Sequence, residues 1–137
     1  AFGYCAGMAN DAIRARAAQE PALLHMGTTL VAAAARPELA VVTNIGDSRA
    51  YHFSQQGVRQ LSCDHSVVEL MVQRGELTRE QAKNYPGKNL ITRAVGTEPQ
   101  VEGDIYVPSA RRPPCRQTPS RCSGSRGTFS FSARTGW

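Results

Sequence analysis

Aromatic residues are scarce in this chain, 7% of 137 residues with one tryptophan, and acidic residues stop altogether after Asp104. No apolar run approaches the ~20 residues that a helix needs to cross a bilayer. The opening Ala1-Phe2-Gly3-Tyr4-Cys5 has no basic segment ahead of an apolar one, so neither a membrane span nor a secretory leader is expected. Four cysteines are present, Cys5, Cys63, Cys115 and Cys122, but no two stand as Cys-x-x-Cys, and His25, His52 and His65 show no ligand-like pairing with them. Zinc is therefore not expected, and unpaired, reduced thiols are. These absences read as a soluble, cytoplasmic protein, and a monomer is expected. An initiator methionine is also missing, which reads as a chain that begins inside a longer protein.

What remains is ordinary globular composition, 41% hydrophobic and 20% charged. The formal charge of +5 is unevenly placed: residues 1–107 carry 10 Lys+Arg against 11 Asp+Glu, and residues 108–137 carry 6 against none. Those arginines sit among Pro, Ser, Gly and Thr and form no helix face. No specific nucleic-acid partner is expected, since phosphate neutralisation alone is indifferent to sequence. Composition thus divides the chain into a domain, 1–107, and an Arg/Pro/Ser-rich tail, 108–137, of low-complexity character.

Within the domain, Ala9, Ile13 and Ala17 recur at helical spacing between polar Asn10, Arg14 and Arg16, predicting an amphipathic helix from 6 to 19 that ends before Pro21. Residues 28–35 and 39–45 are apolar and rich in β-formers, and predict a hairpin of buried strands. A second hairpin is expected from 49–53 and 58–61 through Gln55-Gln56-Gly57. Ser66-Val67-Val68-Glu69 and Thr78-Arg79-Glu80-Gln81 both have the form of a capping box, so two short helices should follow, the first stopped by Gly75. Residues 90–95 and 103–107 look extended again. Strands interrupted by a small helical insertion, about 66–89, predict an α+β sandwich carrying a flap.

Gly46-Asp47-Ser48-Arg49 taken alone is a turn signal, because Gly reaches positive φ and Asp hydrogen-bonds its own backbone. Asp64-His65-Ser66 sets a carboxylate, an imidazole and a hydroxyl in a row, but consecutive residues do not normally form a relay. A strand end followed by a helix cap is the expectation there. Arg93 is open between a structural ion pair and a surface cation near the flap.

The order of these pieces says more. Met26-Gly27-Thr28-Thr29, then Gly46-Asp47-Ser48-Arg49, then Leu61-x-x-Asp64-His65-Ser66, then Leu90-Ile91-Thr92-Arg93-Ala94-Val95-Gly96 together resemble the metal-dependent serine/threonine protein phosphatases of type 2C, of bacterial kind, over roughly residues 6–107. The resemblance implies a partial β-sandwich flanked by helices. It also implies two divalent metals, Mn²⁺ or Mg²⁺, whose bridging hydroxide attacks phosphoserine or phosphothreonine. Hard cations of this kind lower the pKa of bound water and prefer carboxylate ligands. Phosphorylated proteins are the implied partners, together with a bacterial serine/threonine kinase system that makes them. Asp47 is implied as ligand of an accessory third metal.

The chain departs from the family where the core ligands belong. The upstream Asp-Gly-x-Gly-Gly loop is absent, as are the downstream Ser-Asp-Gly and Asp-Asn motifs. An incomplete, inactive piece of such a phosphatase is expected, with a non-catalytic pseudophosphatase module that binds phosphorylated partners as the alternative. The tail offers a reason. Codons for residues 126–137, Arg-Gly-Thr-Phe-Ser-Phe-Ser-Ala-Arg-Thr-Gly-Trp, read from the third base of each, permit Gly-Asp-Val-Leu-Leu-Leu-Cys-Ser-Asp-Gly-Leu. Residues from about 110 onward therefore read as out-of-frame translation.

Overall fold

A computed structural model describes residues 2–37, 39–55, 57–108 and 133–134, the last two as backbone only. Helix α1 (Phe2–Gln19) begins four residues earlier than expected and is followed by a 3-10 turn at Pro21–Leu23. Its buried line is Ala6, Asn10 and Ala17 with Ile13 partly covered, whereas Ala9 faces out. The polar residue that the apolar pattern placed outside is thus inside. The reason is hydrogen bonding: Asn10 Nδ2 donates to Glu98 O at 3.0 Å and Asn10 Oδ1 accepts from Gly96 N at 2.7 Å.

Strands β1 (Leu30–Arg36) and β2 (Leu39–Ile45) form the first hairpin in full register from Leu30↔Ile45 to Arg36↔Leu39. Strand β5 (Asp104–Tyr106) pairs with β2 on its other side, giving the order β1-β2-β5. As the central strand, β2 is covered on both faces, which is why Leu39-Ala40-Val41-Val42-Thr43-Asn44-Ile45 is nearly continuous in apolar character. β1 lies at the edge and is exposed from Ala33 onward, which corrects the expectation of two buried strands. The second hairpin joins β3 (Arg49–Ser54) to β4 (Gly57–Gln60).

Two residues past Pro108 are described, Ala133–Arg134 (β6), and they pair antiparallel with Arg49 and Ala50. The open edge of β3 offers backbone donors and acceptors, and backbone pairing is tolerant of side-chain identity. The remainder of the tail lies outside the described residues.

Two small apolar clusters hold these layers. Ala6 and Ile13 of α1 pack on Leu30, Ile45, Val95 and Val101, beneath the first sheet. Val42, Val31 and Tyr106 meet Ala50 and Leu61 between the two sheets. Both short helices form, but the expected capping box at Ser66 is only half made, because the Glu69 carboxylate is taken by Arg79. Ser66 accepts from Glu69 N at the start of α2 (Val67–Gln73), Gly75 follows it with φ +76°, and Thr78 and Gln81 complete a reciprocal capping box on α3 (Arg79–Lys83). Residues 90–95 do not form a regular strand. They are pinned at two points by different partners, Ile91 by Ser66 and Val95 by Thr28.

Cys5 is a free, exposed thiol, but Cys63 is disulfide-bonded, against the expectation of reduced thiols throughout. Sequence spacing excludes local Cys-x-x-Cys sites, but disulfides require only closeness in space. Among the described residues no helix is long and apolar enough to cross a membrane.

Candidate active-site cleft

The turn from β2 to β3 is the centre of the arrangement. Gly46 adopts φ +104°, and a Cβ there would lie 2.7 Å from Thr29 Cβ, so both conformation and space require glycine. Both backbone polar groups of Gly46 are held by His65: Gly46 O accepts from His65 N at 2.9 Å, and Gly46 N donates to His65 Nδ1 at 3.0 Å. Asn44 Nδ2 adds a third bond, donating to Gly46 O at 3.1 Å and to Cys63 O at 3.0 Å. An Nδ1 that accepts must keep its lone pair, so the ring proton sits on Nε2.

Nε2–H then donates to Asp104 Oδ2 at 3.1 Å. This contact is a hydrogen bond from a neutral imidazole to a carboxylate rather than a pair of full charges. The same carboxylate accepts from Arg93 at 3.1 Å and from the Tyr106 hydroxyl at 3.2 Å, and that hydroxyl accepts from Cys63 N at 3.0 Å. The hydrogen bond from His65 holds Asp104 below the usual carboxylate range, opposed by burial and helped by the charge of Arg93 and the Tyr106 hydroxyl. Burial pushes the Tyr106 phenol upward, Asp104 adding to the effect. Arg93 is therefore the structural ion pair of the two alternatives, although its side chain remains 42% exposed.

His65, 3% exposed, is a brace and no part of a nucleophilic relay, and Ser66 is the α2 cap. Thr29 Oγ1 and Ser48 Oγ are 2.7 Å apart, which ties the segment before β1 to the turn. Thr28 exchanges both backbone bonds with Val95 at 2.9 and 2.8 Å, and Gly27 fits closely under Thr97, where a Cβ would come within 2.8 Å of Cγ2. Gly96 has φ +100° and lies against Ile13 and Met26 O. The twelve residues singled out in the sequence thus fall into two groups. Gly46, Asp47, Ser48, Arg49, Asp64, His65, Ser66, Arg93 and Thr29 surround the turn, while Gly27, Thr28 and Gly96 fasten the 95–98 loop beneath it.

Sequence reasoning missed Asn10, Asn44, Asp104 and Tyr106. Asp104 and Tyr106 stand two apart on a strand, hence on one face, which is the signal that could have paired them.

With its backbone so held, Asp47 lies on the wall of a cleft of about 620 Å³ between β3, β4 and the helical segment. Arg49 and Asp64 lie on the same wall, joined by Arg49 Nε to Asp64 Oδ1 and Oδ2 at 2.9 and 3.0 Å; this hydrogen bonding raises the Arg49 pKa further. On the opposite wall, Arg79 donates to both oxygens of Glu69 at 3.0 and 3.1 Å, and Lys83 and Lys88 complete the rim. Among the described residues, no group of three or more His, Cys, Asp or Glu converges as a metal site.

Comparisons with known proteins agree with this geometry. The protein phosphatase 2C family model matches residues 4–95. The serine/threonine phosphatase stp of Listeria monocytogenes is 44% identical over 98 residues, 72% of this chain and 39% of that protein. The crystal structure of the serine/threonine phosphatase Stp1 from Staphylococcus aureus superposes with a TM-score of 0.74 at 32% identity, covering 77% of this chain and 42% of that one. A structure of the catalytic domain of the serine/threonine protein phosphatase PstP in complex with two manganese ions does so with a TM-score of 0.63 at 34% identity, covering 74% and 41%. The chain spans about 39% of the length of the curated relative it matches. Both the sequence match and the shared fold place this chain in the type 2C serine/threonine protein phosphatase family, on its bacterial branch.

Proposed function

We propose that the chain belongs to a cytoplasmic enzyme that hydrolyses phosphoserine and phosphothreonine esters of proteins at a Mn²⁺ or Mg²⁺ centre, and that these 137 residues alone turn over substrate slowly or not at all. Its substrates are proteins phosphorylated by a bacterial serine/threonine kinase. The reaction class is supported by the phosphatase relatives and by the neighbour holding two manganese ions.

Low turnover is supported by the state of the cleft carboxylates. Asp64 is engaged by Arg49 and Glu69 by Arg79, while Asp47 has no cation against it among the described residues. A hard divalent ion takes about six oxygen ligands, largely carboxylates and waters. The described residues therefore do not fit a binuclear centre, whereas Asp47 fits one ligand position of an accessory ion. The division into a domain at 1–107, a flap at about 66–89 and an out-of-frame tail belongs to the same reading. It explains why the acidic Ser-Asp-Gly segment is missing where family order requires it.

Two experiments test this. Phosphate release from a phosphothreonine peptide that depends on Mn²⁺, stops with EDTA and matches an intact relative in rate refutes the inactivity. DNA across the codons for 100–137 must contain Leu-Cys-Ser-Asp-Gly-Leu in a second frame; its absence refutes the account of the tail. The second reading is a pseudophosphatase module, which metal-independent phosphopeptide binding without turnover would support.

A further inference from the structure

The charges of the cleft do not cancel evenly across it. Arg49 with Asp64, and Arg79 with Glu69, are internally compensated pairs on opposite walls. The remaining charged residues lining the cleft are Asp47 at the turn and two ammonium groups, Lys83 and Lys88. These lysines are drawn together, because Lys88 Nζ donates to Lys83 O at 3.2 Å, at the C-terminal end of α3. Lys83 also meets Glu80 at 2.9 Å, but both side chains are more than two-thirds solvent-exposed, and such pairs hold little energy. Among the described residues Lys88 meets no carboxylate.

We propose that the Lys83–Lys88 rim is a subsite for acidic residues flanking the phosphorylated residue of a protein substrate. The inference rests on the cleft being where the phosphoprotein segment lies. A segment extended across it, with its phosphorylated residue near Asp47, carries its flanks past α3. Carboxylates there meet the Lys88 ammonium, which no carboxylate answers among the described residues, and the exposed Lys83, which is held only by its surface pair with Glu80, whereas Lys or Arg would meet like charge. The rim thereby selects acidic over basic sequence around the phosphorylation site.

The test uses the full chain and dye-labelled phosphothreonine peptides whose flanks are Glu, Ala or Lys, with an unphosphorylated Glu-flanked control, followed by fluorescence anisotropy at low and high salt. Binding should rank Glu, then Ala, then Lys, with the extremes about fivefold apart or more at low salt and converging at high salt. In K83Q/K88Q, two exposed substitutions, the ranking should collapse while circular dichroism is unchanged. Equal affinity across flanks, a ranking that survives K83Q/K88Q, or no binding of any peptide overturns the proposal. Phosphate-dependent binding without flank preference removes the subsite and leaves the phosphoprotein reading. Flank preference without phosphate dependence does the reverse.

Discussion

Replacing Asp104 with alanine tests whether the turn at Gly46 is braced from a strand 58 residues away in the sequence or supports itself. The carboxylate answers three donors: His65 Nε2–H at 3.1 Å, Arg93 at 3.1 Å and Tyr106 OH at 3.2 Å. Arg93 is 42% exposed and recovers water when released, so its share is below ~1 kcal/mol. His65 is 3% exposed and has no such recourse. A buried donor left unanswered costs ~1–3 kcal/mol, and the half-buried phenol adds a smaller amount. The sum predicts a loss of ~2–4 kcal/mol for Asp104→Ala, and roughly half of that for Asp104→Asn, which keeps one acceptor oxygen.

Urea unfolding followed by circular dichroism measures the loss, and amide exchange at Gly46 locates it, since that N–H donates to the ring that Asp104 orients. The pH dependence has a definite sign. Asp104 has a folded pKa below its unfolded value of ~3.9, so its contribution is fully present above that pH and is lost as pH falls through the folded pKa. The gap between the parent chain and Asp104→Asn must therefore narrow below about pH 4. A change under ~1 kcal/mol for Asp104→Ala, or Gly46 exchange no faster than in the parent, refutes the brace.

Asn10→Ala leaves Gly96 N and Glu98 O without partners in a site where Asn10 is 1% exposed, and should cost ~2–4 kcal/mol in the same urea experiment, with the fastest new exchange at Gly96. Gly96→Ala must force a side chain into φ +100° against Ile13, predicting a loss of ~2 kcal/mol or more by thermal unfolding. Thr29→Val keeps the shape but deletes the 2.7 Å bond to Ser48, for ~1 kcal/mol. Ser66→Ala removes the α2 cap and should cost a similar ~1 kcal/mol, seen as faster exchange at Glu69 N and little change in α1.

Local chemistry made much of the fold legible. The capping signals at Ser66 and Thr78 placed two helices because a cap acts on backbone donors within three residues of itself. The hairpins followed from apolar runs separated by turn residues, and both pair as antiparallel hairpins. Exposure was less legible. β1 and β2 have the same kind of composition, yet one is an edge and the other central, a distinction set by whether β5 arrives from residue 104. Asn10 was misplaced for a related cause: amphipathic patterning sorts residues by polarity, and a polar residue with two buried backbone partners breaks the sorting.

The candidate site divides along the same line. Gly46, Asp47, Ser48 and Arg49 could be found because a turn, its positive φ and its motif are contiguous. What Asp64 and His65 do could not be read from adjacency, since each acts on a partner far along the chain, Asp64 on Arg49 and His65 on both Gly46 and Asp104. This also explains why Asp104 escaped notice. A carboxylate on a three-residue strand carries no local sign that it fixes the tautomer of a histidine. That tautomer in turn decides whether Gly46 N–H finds a lone pair or another proton. The direction in which Asp47 enters the cleft thus depends on a chain of single hydrogen bonds, in which reversing the ring proton at His65 breaks two contacts at once.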